Sequence, residues 1–97
     1  MLTHVIKRDK RRRNFNPKHI YNAIAAAFSD SKEKYTEEDL DNLVSNVVDS
    51  ISANGVKSVH VKKIQDTIEN TLMESGFKDT ARAYIEFPAE RDRLALL

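Results

Sequence analysis

Cysteine is absent from this 97-residue sequence, which rules out disulfides and thiolate metal sites and leaves nothing that points to an oxidising compartment. Glycine and proline occur twice each, too few for a flexible or rigid linker, so one domain over 1–97 is expected. Apolar runs are short. None approaches the roughly 20 residues that a membrane-spanning helix needs, and no signal-peptide pattern opens the chain; a cytoplasmic location without a membrane partner is expected. The Gly-x4-Gly-Lys-Ser/Thr loop that cradles phosphates in many nucleotide hydrolases is also missing, since Gly55 and Gly76 stand alone at the ends of helical patterns. His4, His19 and His60 lack metal-ligand spacing. Glu37, Glu38, Asp39 and Asp41 crowd a helix start, where carboxylates complement the dipole rather than form a Mg²⁺ cage. No catalytic residue and no protein-held metal is expected.

What the sequence does have is charge, unevenly placed. Of 16 Lys and Arg and 15 Asp and Glu, the stretch Val5–Ile20 holds seven bases and one acid, Asp9, a local charge of about +6. The remainder, nine bases and fourteen acids, carries about −5, so the overall +1 conceals a polarised chain. Within the basic stretch, Val5-Ile6 and Phe15 flank a charged loop and predict a β-hairpin. Asn16-Pro17 then predicts a helix start, Asn as cap and Pro at the first helical position. Strand ends, a turn and a helix N-terminus meeting in one basic region suit a phosphate group. A strand puts Val5 and Lys7 on one face and Ile6 and Arg8 on the other, so Val5 is placed to pack on a base while Lys7 reaches phosphate. Asn16 and His19 lie one helical turn apart, able to face the same pocket.

Four apolar stripes at helical spacing follow. Ile20, Ala23, Ile24, Ala27 and Phe28 mark a helix over about 17–29. Thr36 with its following acids starts a second over 36–53, with Leu40, Leu43, Val47 and Ile51 on its stripe. Val61, Ile64, Ile68 and Leu72 mark a third over 61–75. Ala81, Tyr84 and Ile85 mark a fourth over 77–95, with a kink or break at Pro88. Val56–Val61 alternates as a third strand would, although Ser58 can instead cap the third helix. The expected fold class is α+β, mostly α: a four-helix bundle capped by a hairpin or a three-stranded sheet.

Three segments in this order carry a resemblance. Val5-x-Lys7-Arg8-Asp9 with Phe15 and Lys18-x-Ile20 is similar to the opening of the ATP-cone domain, the small adenine-nucleotide-sensing module at the N-terminus of many ribonucleotide reductases. Val61-x-x-Ile64-Gln65-x-x-Ile68-Glu69-x-x-Leu72-Met73 and Ala81-Arg82-Ala83-Tyr84-Ile85-Glu86-Phe87 resemble its third and fourth helices, most closely those of the anaerobic, glycyl-radical class. The resemblance implies nucleotide contacts at Val5, Lys7, Arg8, Asn16, His19, Val61, Gln65 and Arg91. It also implies ATP or dATP, with Mg²⁺, as allosteric ligand, no redox cofactor, and two partners, the catalytic body of a reductase and further copies of the chain in a nucleotide-dependent association. The sequence departs from the family pattern at Lys10, usually Gly; at Arg13, often acidic; at His19, usually Lys; and at Pro88, commonly Arg.

Reductase chemistry needs radical and redox cysteines, as the family implies, so this chain is expected to regulate rather than catalyse. The related repressor in which a Cys-rich zinc ribbon precedes the cone is disfavoured for the same reason. Two other classes compete: a nucleic-acid-binding module using Lys10–Arg13 on phosphates, which is not the expected partner, and a structural domain docking through Leu94, Leu96 and Leu97.

Overall fold

A computed structural model describes residues 2–86. The hairpin is there, with its return strand on unpromising residues. Strand β1 (His4–Ile6) pairs antiparallel with β2 (Arg12–Asn14), Val5 opposite Arg13. Phe15 follows the second strand rather than forming it. Between them Lys7 and Arg11 are joined by a backbone bond, Lys7 N–H to Arg11 O at 2.8 Å, and the Lys10 N–H closes the turn on Lys7 O at 2.9 Å. The three-residue loop Arg8-Asp9-Lys10 puts Lys10 at φ 70°, the left-handed conformation that such a loop requires and glycine usually supplies. A third strand, β3 (Ser58–His60), pairs parallel with β1, giving the order β2-β1-β3.

Helix α1 (Pro17–Ser31) starts as the sequence predicts: Asn16 is extended and its side-chain oxygen accepts from the Lys18 N–H at 3.0 Å, with Pro17 at the first helical position. It runs past the expected end near 29 because polar residues on the solvent side do not stop a helix; Lys32, at φ 59°, does. Helix α2 (Glu37–Ile51) opens with a full capping box, in which Thr36 and Asp39 each accept the other's N–H at 3.0 Å. It ends before 53, and a single tight turn over Ala53–Gly55 follows. Helix α3 (Val61–Glu74) grows directly out of β3. Its cap is His60, whose Nδ1 accepts the Lys62 N–H at 3.1 Å; Ser58 is a strand residue, which decides between the two readings of that segment. Gly76, at φ 88°, closes α3 with paired bonds from Gly76 N–H to Met73 O and Phe77 N–H to Leu72 O. Helix α4 (Lys78–Glu86) is followed to residue 86; its expected continuation to 95, the Pro88 break, Arg91 and the terminal leucines lie outside the described residues.

The four stripes meet in one core that includes Ile20, Ile24, Phe28, Leu43, Val47, Ile51, Ile64, Ile68, Leu72 and Tyr84. The architecture is α+β and mostly α, as the stripes predict. The sheet closes the end of the bundle at which α1 and α3 begin. Val59 on β3 is buried beneath it and Val5 on β1 packs against the same core. At the far end Phe28 stacks on Tyr35 (ring centroids 4.1 Å apart) and meets Phe77 edge-on (5.0 Å). There Glu33 Oε1 accepts from the Thr80 N–H at 3.0 Å and from its hydroxyl at 2.6 Å, fastening the start of α4 to the end of α1.

Candidate functional site

Because β2 leads into α1 and β3 into α3, two helix N-termini arrive under one face of the sheet. Each brings the partial positive charge of its dipole. Between them lies a shallow hollow, open to solvent, lined by Val5, Asn14, Phe15, Asn16, His19, Ile20 and Ile64. Its walls are largely apolar, from Val5, Phe15, Ile20 and Ile64. Asn14, Asn16 and His19 add its polar groups. An apolar slot with a few polar groups suits a flat, partly polar ring.

Beside this pocket the hairpin loop bends toward α3. The Arg8 guanidinium donates from Nη2 to Gln65 Oε1 at 3.3 Å. Strand alternation would put Arg8 on the face away from Lys7; the chain leaves β1 at Ile6, so Arg8 belongs to the turn and reaches the bundle side instead. Gln65 is 1% exposed, a buried amide whose oxygen is held by a cation from the lid. A buried polar side chain in an otherwise apolar helix stripe demands such a partner.

Of the sequence-predicted residues, the structure gathers Val5, Asn16 and His19 in the pocket and joins Arg8 to Gln65. Lys7 is half-buried at the start of the loop. Val61 is placed differently. It is 0% exposed and belongs to the core, because β3 delivers the first residue of α3 directly into the packing beneath the sheet. Any role it has is therefore to shape the floor, not to present a side chain at the surface. Arg91 lies outside the described residues.

Four lining residues, Asn14, Phe15, Ile20 and Ile64, are not among the contacts expected from sequence, and neither is Arg13. The hairpin register sets Arg13, itself exposed, opposite Val5. It acts electrostatically on His19: burial, and secondarily the Arg13 charge, hold the His19 imidazole below its ordinary pKa of 6.5. The register was the signal that would have found it.

The pocket contains no carboxylate, and among the described residues there is no group of three His, Cys, Asp or Glu able to hold a metal ion.

Residues 3–93 match the model of the ATP cone domain. The chain belongs to the ATP-cone family. This cone is similar to part of the anaerobic ribonucleoside-triphosphate reductase of Haemophilus influenzae, 35% identical over 91 residues, and of that of Salmonella typhimurium, 36% identical over 92. Those matches take in 91% and 95% of this cone but only 12% of either reductase, so it spans about an eighth of the length of those relatives. The cone is also 37% identical over 70 residues to a transcriptional repressor, NrdR, of Lactobacillus delbrueckii subsp. bulgaricus, covering 72% of this chain and 44% of the repressor. One cone thus recurs in an enzyme and in a repressor, which is what a separable regulatory module does. No helix among the described residues is long and apolar enough to cross a membrane.

Proposed function

We infer that this cone is a regulatory domain that binds ATP or dATP beneath its sheet and controls the overall activity of a ribonucleotide reductase. The observation that carries the reading is the pairing of two features under one lid. An apolar slot (Val5, Phe15, Ile20, Ile64) stands beside the cationic Arg8–Gln65 contact, at two helix N-termini, in a chain of this family. The slot suits the base. Lys7 and Arg8 supply counter-charge for a triphosphate of about four negative charges. Asn16, capping α1 with its oxygen, keeps its amide N–H groups for the ligand. Gln65 orients Arg8, and the buried Val61 supports the floor from below.

Among the described residues no carboxylate lines the hollow and no cluster could hold a metal ion, so binding without hydrolysis is the expected behaviour. Mg²⁺, where present, is carried by the nucleotide's phosphates and not by this chain. Control then passes through docking on the reductase body or through association between copies, because the domain's output is its surface.

Calorimetric titration of the 97-residue chain with ATP, dATP and a mixed single-stranded oligonucleotide tests the reading. Saturable binding of both nucleotides, weakened by Lys7→Ala and without multiple-turnover phosphate release, is expected. Steeply salt-dependent binding of the oligonucleotide with indifference to ATP would instead assign the basic hairpin to nucleic acid.

A further inference from the structure

Arg13 and His19 come from different elements and each neighbours Val5, Arg13 across the hairpin and His19 in the pocket lining. Arg13 comes from the edge strand β2, opposite Val5; His19 comes from the first turn of α1 and lines the pocket with Val5 and Asn16. We propose that the Arg13–His19 pair is a proton-coupled subsite for an anionic group: a phosphate arriving at this rim is met by Arg13 and by a His19 that becomes an imidazolium on binding. The proposal rests on the anionic-ligand reading of the pocket and adds its regulation by pH.

Three features of the ligand-free protein oppose a charge on His19. Its ring is partly buried, Arg13 stands near, and it sits at the positive end of α1. All three reverse when an anion enters. The phosphate replaces lost water as hydrogen-bond acceptor, offsets the Arg13 charge and complements the helix end.

Among the described residues no acid lines the pocket beside the imidazole. The other lining groups are Val5 from β1, Asn14 from β2, Phe15 and Asn16 from the connection, Ile20 from α1 and Ile64 from α3, none of them titratable. Lys18, next on α1, lines a separate groove with Pro17, Tyr21 and Val44. Among the described residues Arg13 is therefore the charged group acting on His19. A lysine at position 19, as is usual in the family, would be charged throughout the physiological range. Histidine makes the same contact conditional on a proton.

The test is calorimetry of MgATP binding to the 97-residue chain, in pairs of buffers with different ionisation enthalpies, across roughly pH 6 to 8. Phosphate titration on the nucleotide itself is common to all variants, so the readout is the difference between wild type and His19→Gln. Wild type should take up protons in excess of the variant, and its affinity should fall more steeply with rising pH, by up to about tenfold per pH unit for one coupled proton. Arg13→Gln should weaken binding and reduce the excess uptake, because its free imidazole is already easier to protonate. The His19 ring resonances in the wild-type chain should move toward the imidazolium position on adding MgATP at neutral pH. Saturable ATP binding with equal proton uptake in wild type and His19→Gln, or an unmoved His19 ring, overturns the subsite and leaves the nucleotide reading standing. No ATP binding at any pH overturns both.

Discussion

Arg8 and Gln65 are 57 positions apart in the chain, and the guanidinium of one is hydrogen-bonded to the amide oxygen of the other at 3.3 Å, tying the sheet lid to α3. The contact is part-buried, which sets it apart from the ion pair that Arg11 makes with Asp9, 3.4 Å long between side chains 80% and 55% exposed. A cation already positioned on the lid gives an arriving phosphate a pre-oriented donor, whereas a screened surface pair contributes little.

Arg8→Ala and Lys7→Ala are each expected to weaken ATP binding by roughly 1.5–3 kcal/mol, the usual cost of losing a charge-assisted contact. Arg11→Ala should leave affinity nearly unchanged at physiological salt. Calorimetry on the three variants, each with its thermal melt as a folding control, separates specific contacts from diffuse attraction. Equal losses in all three would mean that only the total charge of the hairpin matters.

Lys10 yields a stability prediction. A side-chain-bearing residue at φ 70° is strained by about 1–2 kcal/mol, and glycine relieves that strain at an entropic cost of roughly 0.5–1 kcal/mol. Lys10→Gly should therefore stabilise the chain by about 0.5–1 kcal/mol, raising Tm by about 2–8 °C. A lower Tm would show that the lysine makes a compensating interaction.

The far end of the bundle offers a contrast. Glu33 satisfies both the N–H and the hydroxyl of Thr80, which is 0% exposed and also 2.8 Å from the Ser31 hydroxyl. Glu33→Ala leaves those buried groups without the carboxylate and should cost roughly 1.5–3 kcal/mol in urea denaturation. Glu33→Gln, which keeps an acceptor, should cost less than half as much. Neither should alter ATP affinity, since α1 separates this network from the pocket by about 20 Å.

The helices were legible because their apolar positions recur at 3.6 residues and their caps are of the preferred types: Asn16 and Thr36 behave in the structure as their side chains dictate. The sheet was harder. Arg12-Arg13-Asn14 has no apolar alternation, and an edge strand is held by backbone pairing that side chains do not announce. That hid the register, and with it the position of Arg13 opposite Val5. Val61 enters the expected contacts through the family resemblance, which does not distinguish a floor residue from a lining one; its burial follows from the direct join of β3 to α3. Gln65 was recoverable through the family resemblance. Its polarity on a buried stripe was a second signal, explained by Arg8 57 residues away.

His19 also predicts a pH dependence of stability without ligand. Its folded pKa is lowered, so the unfolded chain binds the proton more readily. The neutral ring's contribution is thus fully present above the unfolded value of 6.5 and is lost as pH falls through the lower folded value. Urea titrations from neutral pH into this acid range should show wild type losing stability faster than His19→Gln. Parallel curves would show that the imidazole is as easily charged in the folded protein as in the unfolded chain.

The last prediction concerns the switch implied by ATP-cone membership. ATP and dATP differ by one hydroxyl, and a ligand shifts an equilibrium only by its differential affinity for the two states. A cone that regulates, as proposed, would therefore express the difference in what its surface meets. Here the surface is polarised. The basic lid caps one end of the bundle, and the start of α2, with Glu37, Glu38 and Asp41 exposed, lies at the other, because α1 runs the bundle's length before α2 begins. Such a charge arrangement favours defined orientations between partners and speeds their encounter. At saturating and equal occupancy, ATP and dATP are expected to give different sedimentation profiles of the chain, or different activity of the reductase that carries the cone. Added salt should reduce the difference by screening the exposed charges. Identical sedimentation together with identical parent activity in the two nucleotides would leave a binding domain without a switch, whatever its affinity for either ligand.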